Sequence, residues 1–169
     1  MSKLEVSVDK AKPEKLFYFV VTGTIFNPKT GKCLILQRSK KEITHPGLWG
    51  VTGGKLEHKD LLENKPDRMN FDVPNWDGLV EKLLEREAFE ESGLKVSDPR
   101  IFASLVFLRP DGVPVVCFKY GLKYQSGEVK IPPEFDDFAW VDANEVKKYE
   151  FIGGIDKEIA QVIKIYQNS

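Results

Sequence analysis

Arg86-Glu87-Ala88-Phe89-Glu90-Glu91-Ser92-Gly93-Leu94 closes a helix that carries more acid than a helix end needs. At about 100° per residue, Val80, Leu83 and Leu84 mark an apolar stripe, and Glu87, Glu90 and Glu91 continue it within about 120° of arc. Glu81 and Glu85 point elsewhere, as solvent-facing acids should. Carboxylates gathered on a half-buried face repel one another and lose hydration, a cost that needs an offset. A divalent cation is the simplest one; the plain alternative is a solvated acidic helix end. Glu87 and Glu91, four residues apart, have Cβ atoms roughly 5–6 Å apart, and Glu90 neighbours both. Three oxygen donors so placed can share one or two hard cations. Mg²⁺ keeps several waters and favours sites that also receive substrate phosphate. Without a cation the acids would repel an anionic substrate, so they argue for metal and phosphate together.

Upstream, 16–26 is rich in aromatic and β-branched residues and predicts a central strand. Asn27-Pro28-Lys29-Thr30-Gly31-Lys32 is a turn, and 33–38 returns as a second strand. Gly47 to Gly54 is too glycine-rich for a strand interior; it predicts a short extended piece leading into a loop where backbone approaches something closely. Residues 55–78 hold Pro66 and Pro74 and read as an inserted loop, with a helical turn near 60–64. Asn75 or Asp77 is the expected cap of the acidic helix, and Gly93 stops it. Downstream, strands are predicted at 101–108 and 113–123 around a Pro110-Asp111-Gly112 turn, and at 138–141. A short helix at 143–148 and an amphipathic helix at 155–166 end the chain, while 1–15 is a loose arm or edge strand. Strands outnumber helices with mixed connections, which favours an α+β or α/β sandwich, organised as a single domain over 1–169.

The stretch 86–94 resembles the Nudix hydrolase signature, whose core reads R-E-U-x-E-E-x-G-U with U a bulky apolar residue. Ala88 is small for the first U; Leu94 satisfies the second. Gly54 resembles the glycine that opens the signature, after a Gly47-Leu48-Trp49 approach like the family's. Counting forward from Gly54, the signature's first glutamate falls on Asp60; counting back from Arg86, it falls on Gly78. The 18-residue difference is an insertion within the motif, at about 60–78. Asp60 can still supply a carboxylate to pair with Arg86, and Glu57 resembles a glutamate common after the double glycine.

The resemblance implies an α/β/α sandwich with a mixed β-sheet and hydrolysis that depends on Mg²⁺ or Mn²⁺. It implies that Glu87, Glu90, Glu91 and the Gly53 carbonyl hold metal, and that Arg86 orients the acids. Pro132-Pro133-Glu134-Phe135-Asp136-Asp137-Phe138-Ala139-Trp140 resembles the segment from which many members draw a further acid, so Glu134 is a candidate ligand or general base. Asp136 and Asp137 are alternatives, and the base stays open between Glu87 and Glu134. Arg38, Gly54 and Lys55 are implied for substrate binding. In the insertion itself, Trp76, with Phe71 and Met69, could form a lid or wall for a base, since aromatic faces stack on nucleobases, or could equally staple the inserted loop to the body. The implied substrate is a small nucleotide: a nucleoside triphosphate or a related nucleoside diphosphate linked to X. ADP-ribose or a sugar nucleotide is the second reading, since Pro110 stands where ADP-ribose-type members often carry a proline. A non-catalytic nucleotide-binding module of the same fold is the third. A homodimer is compatible with the family.

Composition sets outer bounds. Apolar residues make up 41% and charged residues 30%, with net charge −1, so no basic field exists to draw nucleic acid or membrane. No apolar run of about 18 residues is present. Met1-Ser2-Lys3-Leu4-Glu5 is polar and mixed in charge, unlike a signal peptide. Cys33 and Cys117 lie in apolar runs without CxxC spacing and read as buried reduced thiols, which fits a cytoplasmic location.

Overall fold

A computed structural model of the chain describes residues 4–168, with β1 (Tyr18–Asn27) at the centre of the sheet. Its aromatic and β-branched side chains suit a strand covered on both faces: Val21, Thr24, Ile25 and Phe26 are all buried. In the turn, the Gly31 N–H donates to the Asn27 carbonyl at 2.9 Å, and β2 (Lys32–Arg38) returns antiparallel. The hairpin then forks. β1 and β2 are in register only at Phe26–Cys33 and Asn27–Lys32. Further along, β4 (Thr52–Lys55) pairs antiparallel with β1, while β3 (Trp49–Gly50) and β9 (Phe135–Val141) pair with β2. On its other side β1 runs parallel to β8 (Pro114–Ser126), which pairs with β7 (Lys95–Leu108) at the sheet edge. The sheet is mixed and seven-stranded.

Two helices cover it. α2 (Leu79–Ser92) places Leu83, Leu84 and Ala88 against Val21, Ile25, Leu36 and Leu122. α3 (Ile155–Gln167) places Ile155, Ile159, Val162, Ile163 and Tyr166 on the opposite face, against Phe26, Cys33, Ile35 and Val141. Fully burying one such Leu, Ile or Val contributes about 1.5–3 kcal/mol, so these two clusters fix the helices on the sheet. The arrangement is the α/β/α sandwich with a mixed sheet expected above. Cys33 and Cys117 are free and buried, and burial pushes the Cys33 thiol up to about 12.

Several local expectations are corrected. The double glycine lies within a strand: Gly53 and Gly54 belong to β4 and pair with Thr22 and Val21. Strand pairing overrides the low β-propensity of glycine here because a side chain would not fit. A Cβ on Gly53 would lie 2.7 Å from the Val21 carbonyl oxygen. The close approach was read correctly; the loop was not. Neither Asn75 nor Asp77 caps α2. Gly78 does so with φ 69° and no side-chain bond, because Asn75 ends a strand and Asp77 pairs with Arg68. Gly93 ends α2 as expected, with φ 73°.

The insertion is more regular than a loop. It opens with α1 (His58–Glu63) and continues as a hairpin of β5 (Arg68–Asn70) and β6 (Val73–Asn75), which pair only with each other. Phe71 sits at the hairpin tip, 95% exposed with φ 57°. The strand expected from 101 begins at Lys95 and passes irregularities around Asp98 and Pro99. The helix expected at 143–148 is a 3₁₀ turn, Glu145–Lys148. Of the arm, residues 1–3 lie outside the described residues; the rest is irregular apart from a 3₁₀ turn at Pro13–Lys15. Among the described residues no helix is long and apolar enough to cross a membrane.

Candidate active site

The fork between β1 and β2 opens a cavity of about 470 Å³. Val20 and Thr22 of β1 form its floor, Gly53 and Gly54 of β4 one side, and Arg38 the end of β2. Glu87 and Glu91 of α2 project into it. Their approach depends on the absent glycine side chains: a Cβ on Gly54 would lie 2.5 Å from Glu87 Cγ and 2.6 Å from its Oε1. The Gly53 N–H donates to Glu91 Oε2 at 2.9 Å. The double glycine and the acidic helix, 33 positions apart between Gly54 and Glu87, are thus one contact surface.

Burial governs the charge of this wall. It raises the proton affinity of Glu91 until its pKa reaches about 8, partly offset by the Gly53 N–H. Glu87 is pushed up by burial as well, with Arg86 opposing. Arg86 holds three acids at once. Its Nη2 lies 3.1 Å from Asp60 Oδ1 and 3.3 Å from Glu87 Oε1, and its Nη1 lies 3.6 Å from Glu90 Oε2. Asp60 is buried, and its Oδ2 accepts the Glu57 N–H at 2.8 Å, capping α1. The insertion therefore begins by delivering a carboxylate to the acidic helix, although its sequence distance from Arg86 departs from the signature.

Not all the acids converge. Glu90 is exposed and does not line the cavity, which corrects the expectation that all three lie on the half-buried face. The last turn of α2 buries Ala88 and Ser92 beside Glu91, and Glu90, about 100° from Glu91, is left facing Arg86 and solvent. Glu134 is exposed, in the loop before β9; its carbonyl accepts the Ser39 N–H at 2.8 Å, and its carboxylate is near enough to Glu91 to raise that group's pKa. Its neighbour Phe135 lines the cavity. Among the described residues no three His, Cys, Asp or Glu side chains stand at metal-binding distances from one another. The donor set still suits a hard cation: carboxylate oxygens from Glu87 and Glu91 meet at a cavity wall beside strand backbone, and burial makes their joint ionisation costly.

Arg38 lines the cavity with its guanidinium fixed, Nε donating to the Thr44 carbonyl at 2.7 Å and Nη2 to Glu42 at 2.9 Å. Lys55 lines it too, with Glu57. Trp76 is not brought to the acids. Its Nε1–H donates to the Asn64 carbonyl at 2.7 Å, and the ring lines a separate hollow with Leu56, Leu61 and Tyr120. That is the stapling role weighed above, and the placement corrects Trp76 as a wall of this cavity. Phe71 and Met69 point into solvent from the hairpin. Ile152 and Ile155 also line the cavity; by its spacing Ile155 reads only as helix packing, and Ile152, ahead of α3, carries no periodic signal.

No protein-family model matches the chain. It is 26% identical over 130 residues, 71% of its length, to the nucleoside triphosphatase NudI of Klebsiella pneumoniae (strain 342), 79% of which is covered. Among solved structures it resembles the MutT protein of Methanosarcina mazei Go1, with a TM-score of 0.62 and 22% identity over 94% of this chain and 100% of that one. It also resembles the NUDIX domain of Shewanella oneidensis NrtR, solved with ADP ribose, with a TM-score of 0.62 and 16% identity over 93% of this chain and 92% of that one. At these identities the two structures speak for the fold.

Proposed function

We propose that this chain is a Nudix hydrolase, a reading supported by its likeness to NudI, and that it hydrolyses a phosphoanhydride bond in a nucleoside triphosphate or a related nucleoside diphosphate linked to X. The observation that carries this reading is the wall where Glu87 and Glu91 meet Gly53 and Gly54. Kinship to a nucleoside triphosphatase supports the nucleotide. Glu91, Glu87 and the Gly53 carbonyl would hold Mg²⁺ or Mn²⁺, joined by the exposed Glu90 and Glu134. When bound, such an ion supplies positive charge against the phosphate oxygens.

The remaining chemistry belongs to the chain's own residues. Arg38, immobilised at the end of β2, meets phosphate oxygen, and Lys55 does so from the end of β4. Gly54 lines the cavity and leaves room for Glu87 against the strand backbone, beside the phosphate chain. Arg86 holds Glu87 in place from outside the cavity. Water forms the new P–O bond, the bridging P–O bond breaks, and its electron pair leaves with the departing phosphate. Between Glu87 and Glu134, Glu87 is assigned the proton from water: it lies on the cavity wall, and burial already raises its proton affinity.

The test is a panel of nucleoside triphosphates, ADP-ribose, sugar nucleotides and dinucleoside polyphosphates, assayed with and without Mg²⁺ or Mn²⁺. Turnover of at least one compound is expected, lost on chelation and in Glu91→Gln. Full turnover in Glu91→Gln overturns the mechanism, and nucleotide binding without turnover by the wild type makes the chain a binding module.

A further inference from the structure

β7 is the last strand of its sheet, and among the described residues no strand pairs with its outer side. Its second half is unusual for an edge. The stretch from Ile101 to Leu108 contains no charged residue, proline or glycine, and from Ala103 to Leu108 its register with β8 runs unbroken. Edges are ordinarily blunted by charge, proline, a bulge or brevity, and this end of β7 has none of them. Ile101, Leu105, Val106, Phe107 and Leu108 are 41–68% exposed. Alternation puts Val106 and Leu108 on one face and Leu105 and Phe107 on the other, so both faces are partly bare here.

The backbone is unpartnered on the same side. The Arg109 N–H donates to the Val113 carbonyl at 3.1 Å, which sets the alternation of the ladder. Ala103, Leu105 and Phe107 bond β8, whereas Ser104, Val106 and Leu108 turn N–H and C=O outward. Pro114, which stands opposite Leu108 and has no N–H, agrees with that phase. The flanking arginines are engaged within the chain, Arg100 by Asp98 at 2.8 Å and Arg109 by Asp111 at 2.7 Å.

We propose that this edge is an interface between two copies of the chain, paired antiparallel through β7 about a two-fold axis at Val106. A charged partner would find no free charge to meet, whereas the stretch opposes itself without conflict: each Leu105 faces the partner's Phe107. An axis at Val106 also keeps pairing within the regular stretch, with Pro99 and Pro110 outside it. Taking roughly 200 Å² for a free side chain of this size, the five offer on the order of 500 Å² per copy. A pair then covers about 1,000 Å², the threshold of a specific interface and short of an obligate one. The dimer is therefore reversible, and β7 lines no part of the acidic cavity.

Sedimentation of the chain from low micromolar to millimolar concentration, with amide hydrogen exchange at both ends of that range, tests the interface. Mass is expected to rise from 19.3 kDa towards twice that value and to stop there. The Ser104, Val106 and Leu108 amides should gain protection with concentration, while Leu105 and Phe107 stay protected throughout. Val106→Lys and Val106→Pro, each verified by a melting curve, should weaken association at least about tenfold. The proline removes only an outward N–H, so pairing with β8 survives it. A constant mass, growth beyond the dimer, or protection that does not alternate overturns the proposal. Association lost in Val106→Lys but kept in Val106→Pro overturns it too, since the faces and not the edge would then hold the copies together.

Discussion

Gly54→Ala places one methyl group against the acidic wall and leaves most of the molecule alone. Gly54 lies in β4 outside the left-handed backbone region, so alanine meets no backbone penalty there. Its Cβ would sit 2.5 Å from Glu87 Cγ and 2.6 Å from Oε1, whereas ordinary contact begins at 3.4 Å. The Glu87 carboxylate must therefore retreat by about 1 Å, and a misplacement of that size costs on the order of 100-fold in rate. Stability should change little. Replacing glycine stabilises by about 0.4–1 kcal/mol through the unfolded chain, and displacing a flexible, partly exposed side chain offsets it. The assay is kcat/KM with metal on whichever nucleotide the wild type cleaves, beside a urea unfolding curve. The expected result is a folded protein with roughly 100-fold less activity. A cycle with Glu87→Ala sharpens it: with the carboxylate gone, the added methyl should cost almost nothing more. Turnover within threefold of wild type in folded Gly54→Ala, or an equal loss in both backgrounds, would refute the steric account.

Three further outcomes are expected. Because burial lifts Glu91 from an ordinary 4.5 to about 8 in the folded chain, metal-free stability is full below about pH 4.5 and falls as pH rises through 8, by on the order of 4 kcal/mol. Urea unfolding at pH 5 and pH 8 in chelator should show that decline in wild type and lose it in Glu91→Gln; a flat wild-type profile counts against the burial. Asp60→Ala removes the α1 cap and a partner of Arg86, so unfolding free energy should drop by about 2 kcal/mol, with activity reduced as Arg86 loses an anchor; unchanged stability would mean that the Asp60–Arg86 link holds nothing. Gly93→Ala puts a side chain at φ 73° and a Cβ 2.9 Å from the Glu128 carbonyl oxygen, which should cost at least 1 kcal/mol in the same assay; a neutral change would show that the helix end can shift freely.

The acidic helix, its glycine stop and the central strand were legible because each obeys a local rule: apolar period, left-handed termination, β-branched composition. Their meeting was not. Gly53 and Gly54 form a strand only because β1 and β2 part after Cys33 and leave β1 unpaired there, a long-range event that local propensity opposes. The helical wheel puts three acids on one face, yet the last turn of α2 buries Ala88 and Ser92 and Glu90 lies outside. β7 starts at Lys95, ahead of the strand expected from 101, because an edge strand tolerates Pro99 at an irregularity. The bare edge of β7 was hidden because 101–108 reads as an ordinary strand, and sequence does not say which strand of a sheet lies outermost.

The β5–β6 hairpin bears on how such a chain can acquire length. Its two ends are clamped side by side, with the Asp67 N–H donating to the Asn75 carbonyl at 2.9 Å and Arg68 gripping Asp77 through two bonds. The stem therefore enters and leaves at one spot, between an α1 already tied to Arg86 and the first residue of α2. Additional sequence spliced at the tip, between Phe71 and Asp72, would leave and return through this clamp and exert no pull on the acids. The hairpin is a ready port for grafting a reporter or a second domain, and it shows how a motif that demands close spacing in space can accept a long detour in sequence.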